Sequence, residues 1–315
     1  MGGDPAVVID LHMHSVNSDG TCSTQQLLNM LEALDAHIIS FTDHDSVGCY
    51  DDLRAGRARL YHGVTLIPGV ELSCRVDGSL RDMLGYGISV REMSEFLEGR
   101  YASERRIQKQ QMILDKLMGI CHRLGLTFDD SLRAREGKKA EGFVIMYREL
   151  NRHPENVERY PFIADNTAFY WKHFSNRDSE FFVDETFDLP SFAEAVEAIH
   201  RSGGRAFLAH PYAYGMDQTH VEALVEEAVK AGADGIELRH SSNKGDDVEK
   251  IKEFARRYSL LLSGGTDFHG TTKPGLELVT GYGNMRVDYE DIAPWIGEVR
   301  QVRGGSDEDL LELWA

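Results

Sequence analysis

The stretch Ala6-Val7-Val8-Ile9-Asp10-Leu11-His12-Met13-His14-Ser15 decides how this chain is read. AVVIDLH (6–12) has the pattern of a buried strand, and its end carries two histidines. Standing two positions apart, both rings leave the same face of that strand. Outward from there, STQQLLNMLEALD (23–35) has helical periodicity, with Ser23 or Thr24 as the N-cap. HIISFTDHD (37–45) reads as a second strand, VTLIPGVELS (64–73) as a third and RDMLGYGI (81–88) as a fourth. Strands alternating with helices at this interval predict βαβ units and a parallel sheet.

The character changes near residue 91. A charged helical stretch runs to about 125, followed by the polar connection RAREGKKAEG (133–142) and the aromatic run RYPFIADNTAFYWKHF (159–174). After Pro190 the alternation resumes, with strands at RAFLAHP (205–211), DGIELRH (234–240) and LLLSGGTDFHG (260–270). The economical reading is an α/β chain: a β/α barrel from 1–92 and 190–290, a helical insertion at 93–189, and a C-terminal helical tail at 291–315. The SDEDLLEL of that tail is expected as a solvated acidic helix.

Composition narrows the function. Hydrophobic residues at 42% and charged residues at 27% exclude a disordered chain. Thirty-four basic against 52 acidic residues give a formal charge of -18, which disfavours docking along duplex nucleic acid. A small phosphorylated ligand stays open, because bound metal ions reverse the local field. Cys22, Cys49, Cys74 and Cys121 are scattered and form no Cys-x-x-Cys pair, which predicts reduced thiols. No stretch has the length of a membrane span, and MGGDPAVVIDLHMHS lacks the marks of a secretory leader or a myristoylation site. The expected location is the cytoplasm.

The strand ends carry the chemistry. The first ends in His12 and His14, with Asp19 in the following loop; the second ends Thr42-Asp43-His44-Asp45. The third reaches Glu71, Asp82 opens the fourth from its loop, one later strand ends at His210, and the last at Asp267-Phe268-His269. Singly, each has a bland reading: a core histidine satisfied by backbone, a helix-capping aspartate, a surface carboxylate. Together they collapse onto one face, because barrel sites form at the C-terminal ends of the strands. Histidine mixed with carboxylate, without cysteine, favours manganese, zinc or iron. The candidates exceed what one ion accepts, so two to three bridged divalent ions are expected, a set that polarises phosphoryl oxygens and activates water.

His12-x-His14, Ser18-Asp19-Gly20, Thr42-Asp43-His44-Asp45, Gly69-Val70-Glu71, Ala209-His210-Pro211 and Gly265-Thr266-Asp267-Phe268-His269 resemble the motifs of the polymerase-and-histidinol-phosphatase (PHP) family. The closest resemblance is to stand-alone metal-dependent phosphoesterases with an inserted helical domain. It implies a distorted seven-stranded (β/α) barrel with a trinuclear site. In that picture His12, His14, Glu71 and Asp267 hold one metal, and Glu71 bridges to a second held by Asp82 and His210. Asp19, His44 and His269 hold a third. The nucleophile would be a metal-bridging hydroxide, with Glu71, Asp267 and His210 as the principal catalytic residues. Asp43 and Asp45 would orient His44.

Three departures bear on the substrate. Relatives that cleave nucleotide monophosphates usually have His where this chain has Asp82. Relatives acting on nucleoside 3',5'-bisphosphates often show His-Pro-x-Arg-Tyr, whereas here it is His210-Pro211-Tyr212-Ala213-Tyr214. Their insertion carries an Arg-x-His helix start, where the best register here puts Phe143 and Ile145. These changes favour a small phosphorylated metabolite, leaning to a cyclic sugar phosphate that is opened and then dephosphorylated. The alternatives are a 3',5'-nucleoside bisphosphate phosphatase, a short-oligonucleotide 5'-3' exonuclease, or a non-catalytic PHP interaction module. Arg148, Lys172, Arg177, Arg239 and Lys244 are candidates for a second phosphate, and Tyr170, Trp171 and Phe174 for stacking; the bland readings are solvated surface charge and core.

Overall fold

The structure, a computed structural model, describes residues 7–136, 140–305 and 309–314. The readings made over residues 1–6, over 137–139 of the polar connection and over 306–308 of the tail lie outside the described residues. In chain order the elements are β1 (Ile9–Asp10), α1 (Thr24–Ala33), β2 (Ile38–Ile39), α2 (Gly48–Arg54), β3 (Thr65–Leu66), β4 (Gly69–Val76), β5 (Ser79–Tyr86) and α3 (Val90–Tyr101). Then come α4 (Ser103–Leu124), α5 (Glu141–Leu150), α6 (Pro154–Arg159), α7 (Asn166–Phe169) and α8 (Phe192–Arg201). The chain closes with β6 (Arg205–Leu208), α9 (Gln218–Lys230), β7 (Gly235–His240), α10 (Asp247–Tyr258), β8 (Leu261–Gly265), α11 (Tyr289–Ile296) and β9 (Val302–Arg303). Two compact units result: Met1–Leu97 with Leu189–Ala315, and Glu98–Asp188.

In the first unit the strands form two mixed sheets, ordered β1-β2-β3-β9 and β4-β5-β6-β7-β8. This departs from the expected distorted seven-stranded barrel. VTLIPGVELS is not one strand, because Pro68 has no N–H to give a ladder and separates β3 from β4. Asp77 and Gly78 then turn the chain with φ of 48° and 69°, so β4 and β5 form an antiparallel hairpin rather than a parallel pair. Asp82 accordingly lies within β5, opposite Ser73, and not in a loop. Parallel pairing survives among β1, β2 and β3 and among β6, β7 and β8. Isolated parallel bridges, Met13 with Phe268 and His44 with Glu71, join the two sheets just where the candidate ligands stand.

Beneath that polar end lies an apolar core of Ile9, Leu11, Leu84, Tyr86, Phe207 and Trp295. Trp295 corrects the expectation of a C-terminal tail. It is fully buried, stacks on Tyr86 at 5.5 Å, and donates its indole N–H to the Leu262 carbonyl at 2.8 Å. The described residues between 291 and 314 thus supply core, an edge strand pairing antiparallel with β3, and a final 3-10 turn at Asp309–Trp314. The helices obey their local chemistry: Ser23 and Ser191 cap α1 and α8 through capping boxes with Gln26 and Glu194.

The second unit is helical. Its core gathers Ile113, Leu117, Phe143, Met146, Phe169, Phe174 and Phe181. Phe143 meets Phe174 at 4.8 Å and Phe169 at 5.2 Å between ring centroids. Phe143 is buried there and Ile145 packs against the same cluster, so neither stands free for a ligand. Among the described residues, no helix is long and apolar enough to cross a membrane.

Candidate metal centre

Backbone placement comes first. Asp10, buried in β1, accepts from Thr266 N and Oγ1 at 2.9 and 2.7 Å and from Val279 N at 2.9 Å. It thereby ties the strand carrying His12 and His14 to the segment carrying Asp267. Gly265 is required at this seam, since a Cβ there would lie 2.2 Å from the His12 nitrogen. Asp43 accepts from Ser15 N, Ser15 Oγ and Ser18 Oγ, each at 2.7 Å. It therefore holds the turn that carries Asp19, where orientation of His44 was expected. Asp45 is placed differently: its carboxylate accepts from Ser73 N at 3.1 Å, and its charge does reach His44. His210 and Asp267 adopt φ of 23° and 58°, a conformation costing on the order of 1–3 kcal/mol that is tolerated where a side chain must be aimed.

The side chains converge. Glu71 Oε2 lies 3.1 Å from His12 Nε2, 3.1 Å from His14 Nε2 and 3.4 Å from His44 Nδ1. Its other oxygen, Oε1, lies 2.8 Å from His210 Nε2. One carboxylate thus faces three imidazoles with one oxygen and the His210 ring with the other. Asp267 Oδ1 lies 3.2 Å from His14 Nε2 and 3.3 Å from His269 Nδ1, while Asp19 Oδ1 is 3.2 Å from His269 Nε2. Sets of potential ligand atoms within 4.8 Å of one another are His12, His14, Glu71 and Asp267; His14, Asp19, His44 and His269; His44, Glu71 and Asp82; and His12, Glu237 and His240. Every candidate named from the sequence therefore falls in one cluster. His210 joins it through Glu71.

The donors fit divalent metal ions. His210 Nδ1 and Asp82 Oδ1 are buried and make no hydrogen bond within the protein. Buried polar atoms without partners are expensive, and hard or borderline cations are the natural partners of imidazole and carboxylate. The electrostatics agree. Burial alone would lower the His14 imidazole, but Asp267 and Glu71 prevail and raise it to about 9. The same competition, won by Glu71, raises His210 to about 9. Against burial, the surrounding imidazoles hold Glu71 and Asp267 well below the carboxylate range. Asp82 goes the other way: burial, reinforced by the charge of Glu71, lifts it to about 6 against His210 and the Tyr214 hydroxyl.

The cluster opens into a pocket of about 470 Å3 whose rim includes Ala213, Tyr214, Thr272 and Lys273. Lys273 reaches the Asp267 carboxylate. Of the cations considered from the sequence, Arg239 is engaged by Asp288 and Asp291, while Arg148, Lys172, Arg177 and Lys244 are exposed and outside the pocket lining. Phe174 is buried in the second unit's core, Tyr170 packs against that core and donates to Glu185, and Trp171 is 67% exposed.

Sequence reasoning missed Glu237 and His240. Glu237, fully buried in β7, lies 2.9 Å from His12 Nδ1 and accepts from His210 N at 2.8 Å, so it orients two candidate ligands. His240 Nε2 lies 3.2 Å from Asp267 Oδ2. The signal was present, since DGIELRH ends in a histidine as the other strands do. Glu237 gives less away, being a lone carboxylate inside an apolar run.

The chain is similar to known proteins. The family model of the PHP domain matches residues 10–159. Over 266 residues the chain is 29% identical to the phosphoribosyl 1,2-cyclic phosphate 1,2-diphosphodiesterase of Eggerthella lenta, spanning 84% of this chain and 95% of that protein. It is 27% identical over 272 residues to the 3',5'-nucleoside bisphosphate phosphatase of Chromobacterium violaceum, spanning 86% and 90%. It is 26% identical over 266 residues to a 5'-3' exoribonuclease of Escherichia coli, spanning 84% and 86%.

Proposed function

The chain is a PHP-domain protein, and from that premise we propose that it is a metal-dependent phosphoesterase acting on a small phosphorylated metabolite. The observation that carries the reading is Glu71, one of whose oxygens faces His12, His14 and His44 while the other faces His210. His12, His14, Glu71 and Asp267 would hold one ion; Glu71, Asp82 and His210 a second; Asp19, His44 and His269 a third. Manganese, zinc or iron all suit these donors. Bound there, such ions polarise a phosphoryl group and lower the pKa of water.

The rest is the work of the chain's own residues. Glu237 fixes the His12 ring through Nδ1, leaving Nε2 toward the cluster. Asp10 and Thr266 keep the two ligand-bearing segments in register. Lys273 gives the pocket rim a cation suited to a phosphate oxygen.

The substrate we favour is a cyclic sugar phosphate, opened to a monoester that is then hydrolysed. Two observations support it: a carboxylate, Asp82, stands in the cluster, and Ala213 lines the pocket where bisphosphate-cleaving relatives often have Arg. The likeness to the Eggerthella protein points the same way. Likeness to the other two relatives supports a second reading, hydrolysis of a nucleoside 3',5'-bisphosphate or a short oligonucleotide. The cysteines form no disulfide, which suits the cytoplasm.

The test is phosphate release by manganese-reconstituted protein. The panel holds a ribose 1,2-cyclic phosphate, an acyclic sugar phosphate, an adenosine 3',5'-bisphosphate and a trinucleotide. We expect the highest kcat/KM on the cyclic compound. A higher value on the bisphosphate or trinucleotide installs the second reading, and no release from any of them overturns both.

A further inference from the structure

Asp82 is the candidate ligand set inside β5, and the structure shows what accompanies it. The strand β6 ends at Leu208, and the last ladder bond to β5 runs from Ala209 N to the Asp82 carbonyl at 3.2 Å. At His210 the chain turns away, with its φ of 23°. The N–H of Asp82 then has no strand partner on that side. Tyr214 returns from the following loop and takes its place: the Asp82 N–H donates to the Tyr214 hydroxyl at 3.0 Å. The same hydroxyl donates to Asp82 Oδ2 at 2.8 Å.

One phenol therefore caps the backbone and the side chain of a single residue. It is itself clamped. The Arg81 guanidinium lies 4.5 Å from the centroid of its ring, the His210 ring meets it edge-on at 5.3 Å, and Arg81 Nη2 reaches Met216 Sδ at 3.1 Å. The carboxylate, 3% exposed, is left with one oxygen, Oδ1, that is buried and has no hydrogen-bond partner.

We propose that Tyr214 is the positioning residue of Asp82: by occupying Oδ2 it makes the carboxylate offer Oδ1 alone to the metal cluster. A carboxylate that chelates through both oxygens fills two positions around an ion, whereas one capped at Oδ2 fills one, as an imidazole does. Tyr214 thus lets a carboxylate stand in the cluster without closing a position that substrate needs. The inference rests on the phosphoesterase reading of this site.

The test is a double-mutant cycle with Tyr214→Phe and Asp82→His in the full chain, read by elemental analysis after dialysis against a graded chelator and by kcat and KM on a phosphate ester. Tyr214→Phe keeps the ring under Arg81 and removes only the hydroxyl. In the wild-type background we expect one metal equivalent to be held about 10- to 100-fold more weakly, with the remaining metal unchanged and the loss falling on kcat rather than KM. In the Asp82→His background the same substitution should leave metal affinity and kcat unchanged, because an imidazole leaves no second oxygen to cap, and the lost bond from the residue-82 N–H should show only as lower stability. An equal loss in both backgrounds, or none in the wild type, overturns the inference. A wild-type protein that holds no metal and turns over no ester overturns the phosphoesterase reading instead.

Discussion

Both units have an apolar core, but the first also buries a cluster of imidazoles and carboxylates. The first places Asp10, His12, His14, Glu71, Glu237 and Asp267 out of solvent, all within one region. The second packs Phe143, Phe169, Phe174 and Phe181 against aliphatic side chains. Aromatic burial stabilises a fold by itself, at about 25 cal/mol per Å2 of apolar surface. Buried charge does the reverse unless it is paired, and a purely structural core of the first unit's size would do better with apolar residues. The contrast teaches where function sits: the unit that carries the thermodynamic burden carries the chemistry.

Substitutions can break or sharpen that contrast. The largest effect is expected from Glu71→Ala, which removes the carboxylate facing His12, His14, His44 and His210. Turnover should fall below detection and metal content should drop, while circular dichroism keeps the α/β signature. Near-normal turnover would mean that Glu71 is not the hub of the cluster. Phe143→Ala should cost about 3–5 kcal/mol in urea unfolding, through the cavity left among Phe169, Phe174 and Tyr170. Its metal stoichiometry should stay that of the wild type; a change in metal content would blur the contrast.

Glu237→Gln is subtler, because the shape survives and only the charge beside His12 is lost. Metal affinity should fall about 10- to 100-fold, measured by chelator competition. Unaltered affinity would reduce Glu237 to a packing role. Asp82→His should keep metal bound and move the kcat/KM ratio from cyclic diester toward acyclic monoester. An unchanged ratio removes Asp82 from substrate choice. The smallest effect is expected from Ser23→Ala, which breaks the capping box of α1 and should cost about 0.5–2 kcal/mol of stability with turnover unaffected.

Much of the site was legible because its residues break a pattern. A histidine or carboxylate at the end of an apolar strand stands out, and the ends of several strands do so here. The Ser23 cap was legible for the same kind of reason, a polar residue just ahead of helical periodicity. What stayed hidden depends on tertiary pairing. The Asp77-Gly78 turn carries a strong hairpin signal, yet the expectation of parallel strands overrode it, and with it went the placement of Asp82 inside β5. Trp295 looked like part of a tail because its partners, Tyr86 and Phe207, are remote in sequence. Asp43 next to His44 suggested a local pair, whereas its carboxylate instead reaches back to Ser15 and Ser18. Tyr214 and Glu237 act through partners more than twenty residues away, which no local pattern announces.

The central claim is that the first unit buries charge in order to hold divalent metal. Elemental analysis of the full chain, purified without chelator and compared with Glu71→Ala, tests it most directly. The account predicts two to three equivalents of manganese, zinc or iron per chain, and a clear loss in the variant. Wild-type protein that carries no stoichiometric metal, and takes up none when dialysed against manganese, would contradict it.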